Sequence, residues 1–105
     1  MKINDENIEL SIVVPMYNEA HNIDHFFERL NTVLDSLNMR YEIICVNDGS
    51  KDDTLARLAG HHRCNPLIKI INLSRNFGKD IALCAGIDHA KGKAVIPIDS
   101  DLQDP

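Results

Sequence analysis

Two carboxylates one residue apart, Asp99 and Asp101, follow the apolar run Ala94-Val95-Ile96-Pro97-Ile98, and Gln103 adds a neutral oxygen two residues further on. Carboxylate oxygens suit Mg²⁺ or Mn²⁺, whose remaining coordination positions phosphate oxygens can fill. A cation held this way can carry a diphosphate and help it depart as a leaving group. An isolated Asp-x-Asp is common by chance and reads equally well as a solvated acidic loop. Its place at the end of an apolar run gives it weight, because alternate residues at a strand end point the same way.

Three further polar clusters stand in comparable places. Asp48, in Val46-Asn47-Asp48-Gly49-Ser50, follows a second apolar run, where its carboxylate could accept hydrogen bonds from a ribose or a base N–H. Its plainer reading is a turn residue beside Gly49, with the Ser50 hydroxyl capping the next helix. Pro15-Met16-Tyr17-Asn18-Glu19 follows the first run. There Pro15 is expected to end the strand, Tyr17 to offer a ring to a base and Glu19 a carboxylate to ribose or base. The competing reading makes Asn18 an N-cap, with Glu19 at the positive end of the helix dipole. Ser74-Arg75-Asn76-Phe77-Gly78-Lys79-Asp80 holds the basic pair Arg75 and Lys79, able to meet phosphate or base, or else to sit as surface charges at a helix start. Gly78-Lys79 is not a P-loop, because Asp80 replaces Ser/Thr and the upstream glycine is missing. No GxGxxG supports a dinucleotide fold. His21 and His25 lie four apart but lack the HExxH glutamate, and His61-His62 reads as surface.

The elements that must position these clusters alternate between two periodicities. Leu10 to Val14, Tyr41 to Val46, Leu67 to Leu73 and Ala94 to Ile98 are short, nearly continuous apolar runs, which predicts strands covered on both faces in a parallel sheet. From Ile23 the apolar residues Phe26, Phe27, Leu30, Val33, Leu34 and Leu37 form one helical stripe. Ser50-Lys51-Asp52-Asp53 resembles a capping box before Leu55, Leu58 and Ala59. A third helix over 79–91 is rich in small residues, Ala82, Ala85, Gly86 and Ala90, allowing close approach to the sheet. Gly92 is expected as its C′ stop. The order β-α-β-α-β-α-β implies right-handed crossovers and a doubly wound half-sheet with ligands at the carboxyl ends of the strands. Every polar cluster above follows a strand.

At 105 residues, 44% hydrophobic and 26% charged, the composition is that of a single globular domain. A net charge of -5 argues against a general nucleic-acid binder, yet leaves room for a nucleotide held through a cation. Cys45, Cys64 and Cys84 form no CxxC pair. Cys45 and Cys84 read as buried small hydrophobes, in a reducing, cytoplasmic setting. The polar N-terminus is not a signal peptide, and no apolar stretch approaches the length of a membrane span.

Taken in order, Ser11-Ile12-Val13-Val14-Pro15-Met16-Tyr17-Asn18-Glu19, Asn47-Asp48-Gly49-Ser50, Ser74-Arg75-Asn76-Phe77-Gly78-Lys79 and Asp99-Ser100-Asp101-Leu102-Gln103-Asp104-Pro105 resemble the family 2 inverting glycosyltransferases of GT-A fold. The similarity is strongest to polyprenyl-phosphate sugar transferases of the dolichyl-phosphate mannosyltransferase and bactoprenol glucosyltransferase kinds. The resemblance implies a Rossmann-like half of a GT-A fold binding a UDP- or GDP-sugar. Pro15, Tyr17, Glu19 and Asp48 would hold the nucleoside, with Lys79 and Asp99 also on the nucleotide. Asp99, Asp101 and Gln103 would surround Mg²⁺ or Mn²⁺ and the diphosphate. The acceptor would be a lipid phosphate at the cytoplasmic face of a membrane. Lys93 departs from the acid that the family often carries before the fourth strand. Family members continue with further strands, an acceptor loop, acceptor-side carboxylate and basic residues, and often membrane helices. The chain is therefore expected to be a truncated donor-binding domain, 1–105, inactive alone. The alternative is a non-catalytic remnant that at most binds nucleotide. A phosphoacceptor receiver domain is disfavoured, because Pro15-Met16-Tyr17 stands where an acidic pair is required.

Overall fold

The computed structural model describes residues 7–101. Its elements run β1 (Leu10–Met16), α1 (Ile23–Leu37), β2 (Tyr41–Asn47), α2 (Thr54–Cys64), β3 (Ile68–Asn72), α3 (Lys79–His89) and β4 (Ala94–Pro97). The four strands form one parallel sheet in the order β3-β2-β1-β4, so the chain steps outward to β3 and then crosses back to place β4 beyond β1. The direction of winding reverses between β1 and β4, which opens a crevice at their carboxyl ends.

Period-two alternation sorts β1 and β2 onto two cores. Leu10, Ile12, Val14 and Met16 face α1 and α2 together with Ile43 and Cys45, meeting Ile23, Phe26, Phe27, Leu30, Leu34 and Leu58. Val13, Ile44 and Val46 face the other way, toward Ala82 of α3. β1 and β2 are thus covered on both faces, as their continuous apolar runs predict. β4 is not: all four of its residues are exposed, because it takes the outer place in the sheet and pairs with β1.

Small residues on α3 do what their size suggests. A Cβ on Gly86 would fall 2.3 Å from Val13 Cγ1, so the helix rests on β1 at a distance that only glycine permits. Gly92, expected as a helix stop, has another reason: its Cβ would lie 2.6 Å from Ser11 Oγ and 2.7 Å from Ser11 N. The helix instead ends at Ala90 in extended conformation. Three other expectations need correction. Val33 and Leu37 belong to the apolar stripe of α1 by spacing, yet they lie on its flank and are exposed. Cys84 sits on the outer side of α3 and is exposed, whereas Cys45 is fully buried, which pushes its thiol up to about 12.

Pro15 does not end β1 but lies inside it, in register with Val46. The ladder explains how. Met16 O accepts from Asp48 N on the β2 side, while Val13 O accepts from Ile98 N on the β4 side. Alternation turns the Pro15 nitrogen toward β4, where it has no N–H to donate, and pairing with β4 stops at Val13 and Pro97.

Candidate functional site

One cavity of about 470 Å³ opens at the carboxyl ends of the strands. Its wall includes Pro15 near the end of β1, Tyr17 and Glu19 after it, Asp48 after β2, Lys79 at the start of α3, and Asp99 and Asp101 after β4. These candidates come from segments far apart in sequence, and the fold brings them to one place. Gln103 lies outside the described residues. Met16, Asn76, Gly78 and Ser100 complete the wall without having been anticipated. Asn76 and Gly78 alternate with Arg75 and Phe77 along the loop after β3, and only the first pair lines the cavity. The Arg75 guanidinium instead stacks over the Phe77 ring at 4.6 Å, outside the cavity wall.

The loop after β1 is stitched to the loop after β2. Asn18 adopts a left-handed conformation, φ 52°, donates its backbone N–H to Ser50 Oγ at 2.9 Å, and accepts from Lys51 N–H through Oδ1 at 2.8 Å. Glu19 N–H donates to Thr54 Oγ1 at 2.9 Å. Neither sequence-based capping expectation holds: Asn18 is not the cap of α1, and the Ser50 hydroxyl serves Asn18 rather than α2. Thr54 N–H is instead met by Asp52 Oδ1 at 3.0 Å.

Asp48, only 3% exposed, organises the loop after β3. Oδ1 accepts from Phe77 N–H at 2.8 Å, and Oδ2 from Gly78 N–H at 3.1 Å and Asn76 Nδ2 at 3.3 Å. Beside it, Gly49 has φ 68°, and a Cβ there would fall 2.2 Å from the Arg75 carbonyl carbon, so the two loops touch backbone to backbone. Gly78 has φ 102° with open space where its Cβ would be, and it ends the loop directly before Lys79. Lys79 Nζ lies 2.6 Å from Asp99 Oδ1 across the cavity, a bond that raises the lysine's pKa above its ordinary value. A cation arriving at Asp99 would meet this ammonium first.

Asp99 and Asp101 lie on a turn just past the end of β4. Two carboxylates on one cavity wall fit an oxygen-loving divalent cation that draws its other ligands from phosphate and water. Among the described residues no cluster of three or more His, Cys, Asp or Glu side chains could hold a metal without such help. His21 and His25 are exposed, with His21 ahead of α1. His61 is more than surface: its ring lies 4.4 Å from that of Phe27, and Nε2 lies 2.7 Å from Asp24 Oδ1, clasping α2 to α1. That contact, foremost its hydrogen bond, holds the Asp24 carboxyl below the usual range.

At the opposite, amino-terminal ends of the strands sits a fully buried carboxylate that the sequence reading passed over. Glu42 Oε2 accepts from Ser11 Oγ at 2.6 Å and Lys91 N–H at 2.7 Å, and Oε1 from Lys69 Nζ at 2.7 Å. Burial pushes the Glu42 pKa up, and the hydrogen bonds from Lys69, Ser11 and Lys91 outweigh it, leaving the carboxyl below its ordinary value. Its partners tie β1, β3 and the α3–β4 connection to β2, a task of architecture rather than chemistry.

A parallel sheet with a polar cavity at its carboxyl edge and two acids past β4 defines a class, and the chain belongs to glycosyl transferase family 2, whose model matches residues 11–105. Similar solved structures are GT-A glycosyltransferases. The mannosyltransferase PcManGT from Pyrobaculum calidifontis, in complex with GDP-Man and Mn²⁺, is 26% identical with a TM-score of 0.74, over 89% of this chain and 27% of that one. S. aureus TarS 1-349 in complex with UDP-GlcNAc is 28% identical with a TM-score of 0.73, over 90% and 27%. An uncharacterized glycosyltransferase of Synechocystis sp. is 67% identical over 98 residues, 93% of this chain and 31% of its own length. The bactoprenol glucosyl transferase of Shigella phage SfV is 44% identical over 98 residues, 93% of this chain and 32% of its own. The chain thus spans about a third of the curated relatives it matches. No helix among the described residues is long and apolar enough to cross a membrane.

Proposed function

We propose that this chain is the nucleotide-sugar-binding part of a glycosyltransferase that moves a hexose from a UDP- or GDP-sugar to a polyprenyl phosphate with inversion. The observation that carries the reading is the convergence of Pro15, Tyr17, Glu19, Asp48, Lys79, Asp99 and Asp101 on one cavity wall. Tyr17 and Glu19 would meet the base and ribose, and Asp48 would reach the nucleoside from the floor while holding the 76–78 loop. Asp99 and Asp101, with Gln103 beyond the described residues, would hold Mg²⁺ or Mn²⁺, which when bound neutralises the charge of the departing diphosphate. The Lys79 ammonium, already on Asp99, would share that phosphate-facing wall. A relative named for bactoprenol glucosyl transfer supports the lipid-phosphate acceptor, and neighbours bound to GDP-Man with Mn²⁺ and to UDP-GlcNAc support donor and cation. Attack by an acceptor oxygen opposite the diphosphate inverts the anomeric carbon. Positioning that acceptor is assigned to segments other than the cavity wall described above.

Calorimetric titration of UDP and GDP, each with Mn²⁺ and with EDTA, tests the reading. Tighter binding in Mn²⁺ is expected, weakened about tenfold by Asp101→Asn, the scale of one lost charge-assisted contact. Equal affinity in EDTA, or no effect of the substitution, would contradict it.

A further inference from the structure

Asn22 stands immediately before α1, where an asparagine ordinarily turns its side-chain oxygen back onto the first free N–H groups of the helix. Here it makes no such cap. Its Nδ2 donates instead to the Ser100 carbonyl at 2.9 Å, across 78 residues of sequence. A carbonyl can only accept, so the orientation of the amide follows from its partner. The backbone of Asn22 is engaged as well: its N–H donates to the Glu19 carbonyl at 2.9 Å, and its carbonyl accepts from Phe26 N–H at 2.9 Å. One residue therefore joins the segment carrying Glu19 to the turn carrying Asp99 and Asp101. Ser100 is buried, 8% exposed, between two exposed acids, so the turn is pinned through its middle residue.

We propose that Asn22 is a positioning residue that holds the Asp99-Ser100-Asp101 turn against the start of α1, keeping both carboxylates on the cavity wall. This assignment rests on the donor-site reading above. A neutral amide suits the task, since it anchors the turn without adding a positive charge that would compete with a divalent cation. Giving up the cap is the cost to α1, and the buried stripe of that helix carries its stability instead.

Asn22→Ser tests the assignment, because serine is an equally good N-cap type but lacks the amide donor. Thermal unfolding, amide hydrogen exchange at Ser100 and Asp101, and UDP affinity with Mn²⁺ and with EDTA would be compared with the parent chain. The expected result is an unfolding midpoint close to the parent's, with exchange at Ser100 and Asp101 faster by about fivefold, as for one lost part-buried hydrogen bond. The Mn²⁺-dependent gain in UDP affinity should fall by a similar factor, with affinity in EDTA unchanged. Unaltered exchange at Ser100 and Asp101, or a lowered midpoint with the Mn²⁺ gain intact, would overturn the assignment and leave Asn22 as part of α1 only. If the parent chain shows no Mn²⁺ gain while Asn22→Ser still speeds exchange at the turn, the donor reading fails and the anchoring of the turn stands.

Discussion

Asp48 concentrates three hydrogen bonds on one buried carboxylate, and its sequence neighbourhood tells only half of that. Position after an apolar run, beside Gly49, places it on the rim. Its partners Asn76, Phe77 and Gly78, 28 to 30 residues away, are invisible until the sheet is assembled. Asp48→Asn would set an amide N–H₂ against backbone donors. We predict a loss of about 1–3 kcal/mol in urea unfolding, together with weaker UDP binding, since the same loop leads into Lys79. Unchanged stability would show that the loop holds itself. Glu42 was illegible for a related reason: a lone acid inside Tyr41-Glu42-Ile43-Ile44 reads as a solvent-facing strand position. Only the assembled sheet shows Ser11, Lys69 and Lys91 closing around it, at separations of 31, 27 and 49 residues.

Elements were legible where one face dominates. Ile23, Phe26, Phe27, Leu30 and Leu34 declare α1 and its buried side, whereas Val33 and Leu37 share the spacing but fall beyond the reach of the sheet. The small residues of α3 announced a close approach without naming the neighbour, which is Val13. Gly86→Ala is predicted to destabilise by about 1–3 kcal/mol, because Val13 is fully buried and its branched side chain is stiff. Val13→Ala in the same chain should return part of that loss, a coupling measurable by a double-mutant cycle. Simple additivity would mean the helix shifts rather than clashes. Pro15 was misjudged because proline is read as a breaker, yet a parallel strand that has lost its partner on one side tolerates it there.

At the scale of the molecule the alternation of strands and helices predicts a doubly wound sheet, while the order β3-β2-β1-β4 and the crevice it creates between β1 and β4 emerge only from the assembled structure. The sheet divides its ends: the cavity proposed as the donor site opens at the carboxyl ends, and the Glu42 network closes the amino ends. Because Glu42 titrates below its ordinary value when folded, it adds stability that is present above the unfolded value, about 4.3, and lost as pH falls through the folded one. Urea unfolding between roughly pH 3 and 7 should therefore show a steeper acid loss for the parent than for Glu42→Gln, with the variant less stable near neutrality. Parallel curves would remove Glu42 from the acid response.

The cavity is proposed as the place where a nucleotide and a divalent cation meet, and Mn²⁺ itself can report on that. Paramagnetic broadening of backbone amides on adding UDP with Mn²⁺ should be strongest at Gly78, Ser100 and Asp101 and reach Tyr17 and Asp48. It should spare Glu42 and Lys91 at the far ends of the strands and His61 between the helices. Broadening centred on Asp24 and His61, or spread evenly over the surface acids, would contradict the assignment of this cavity as the donor site.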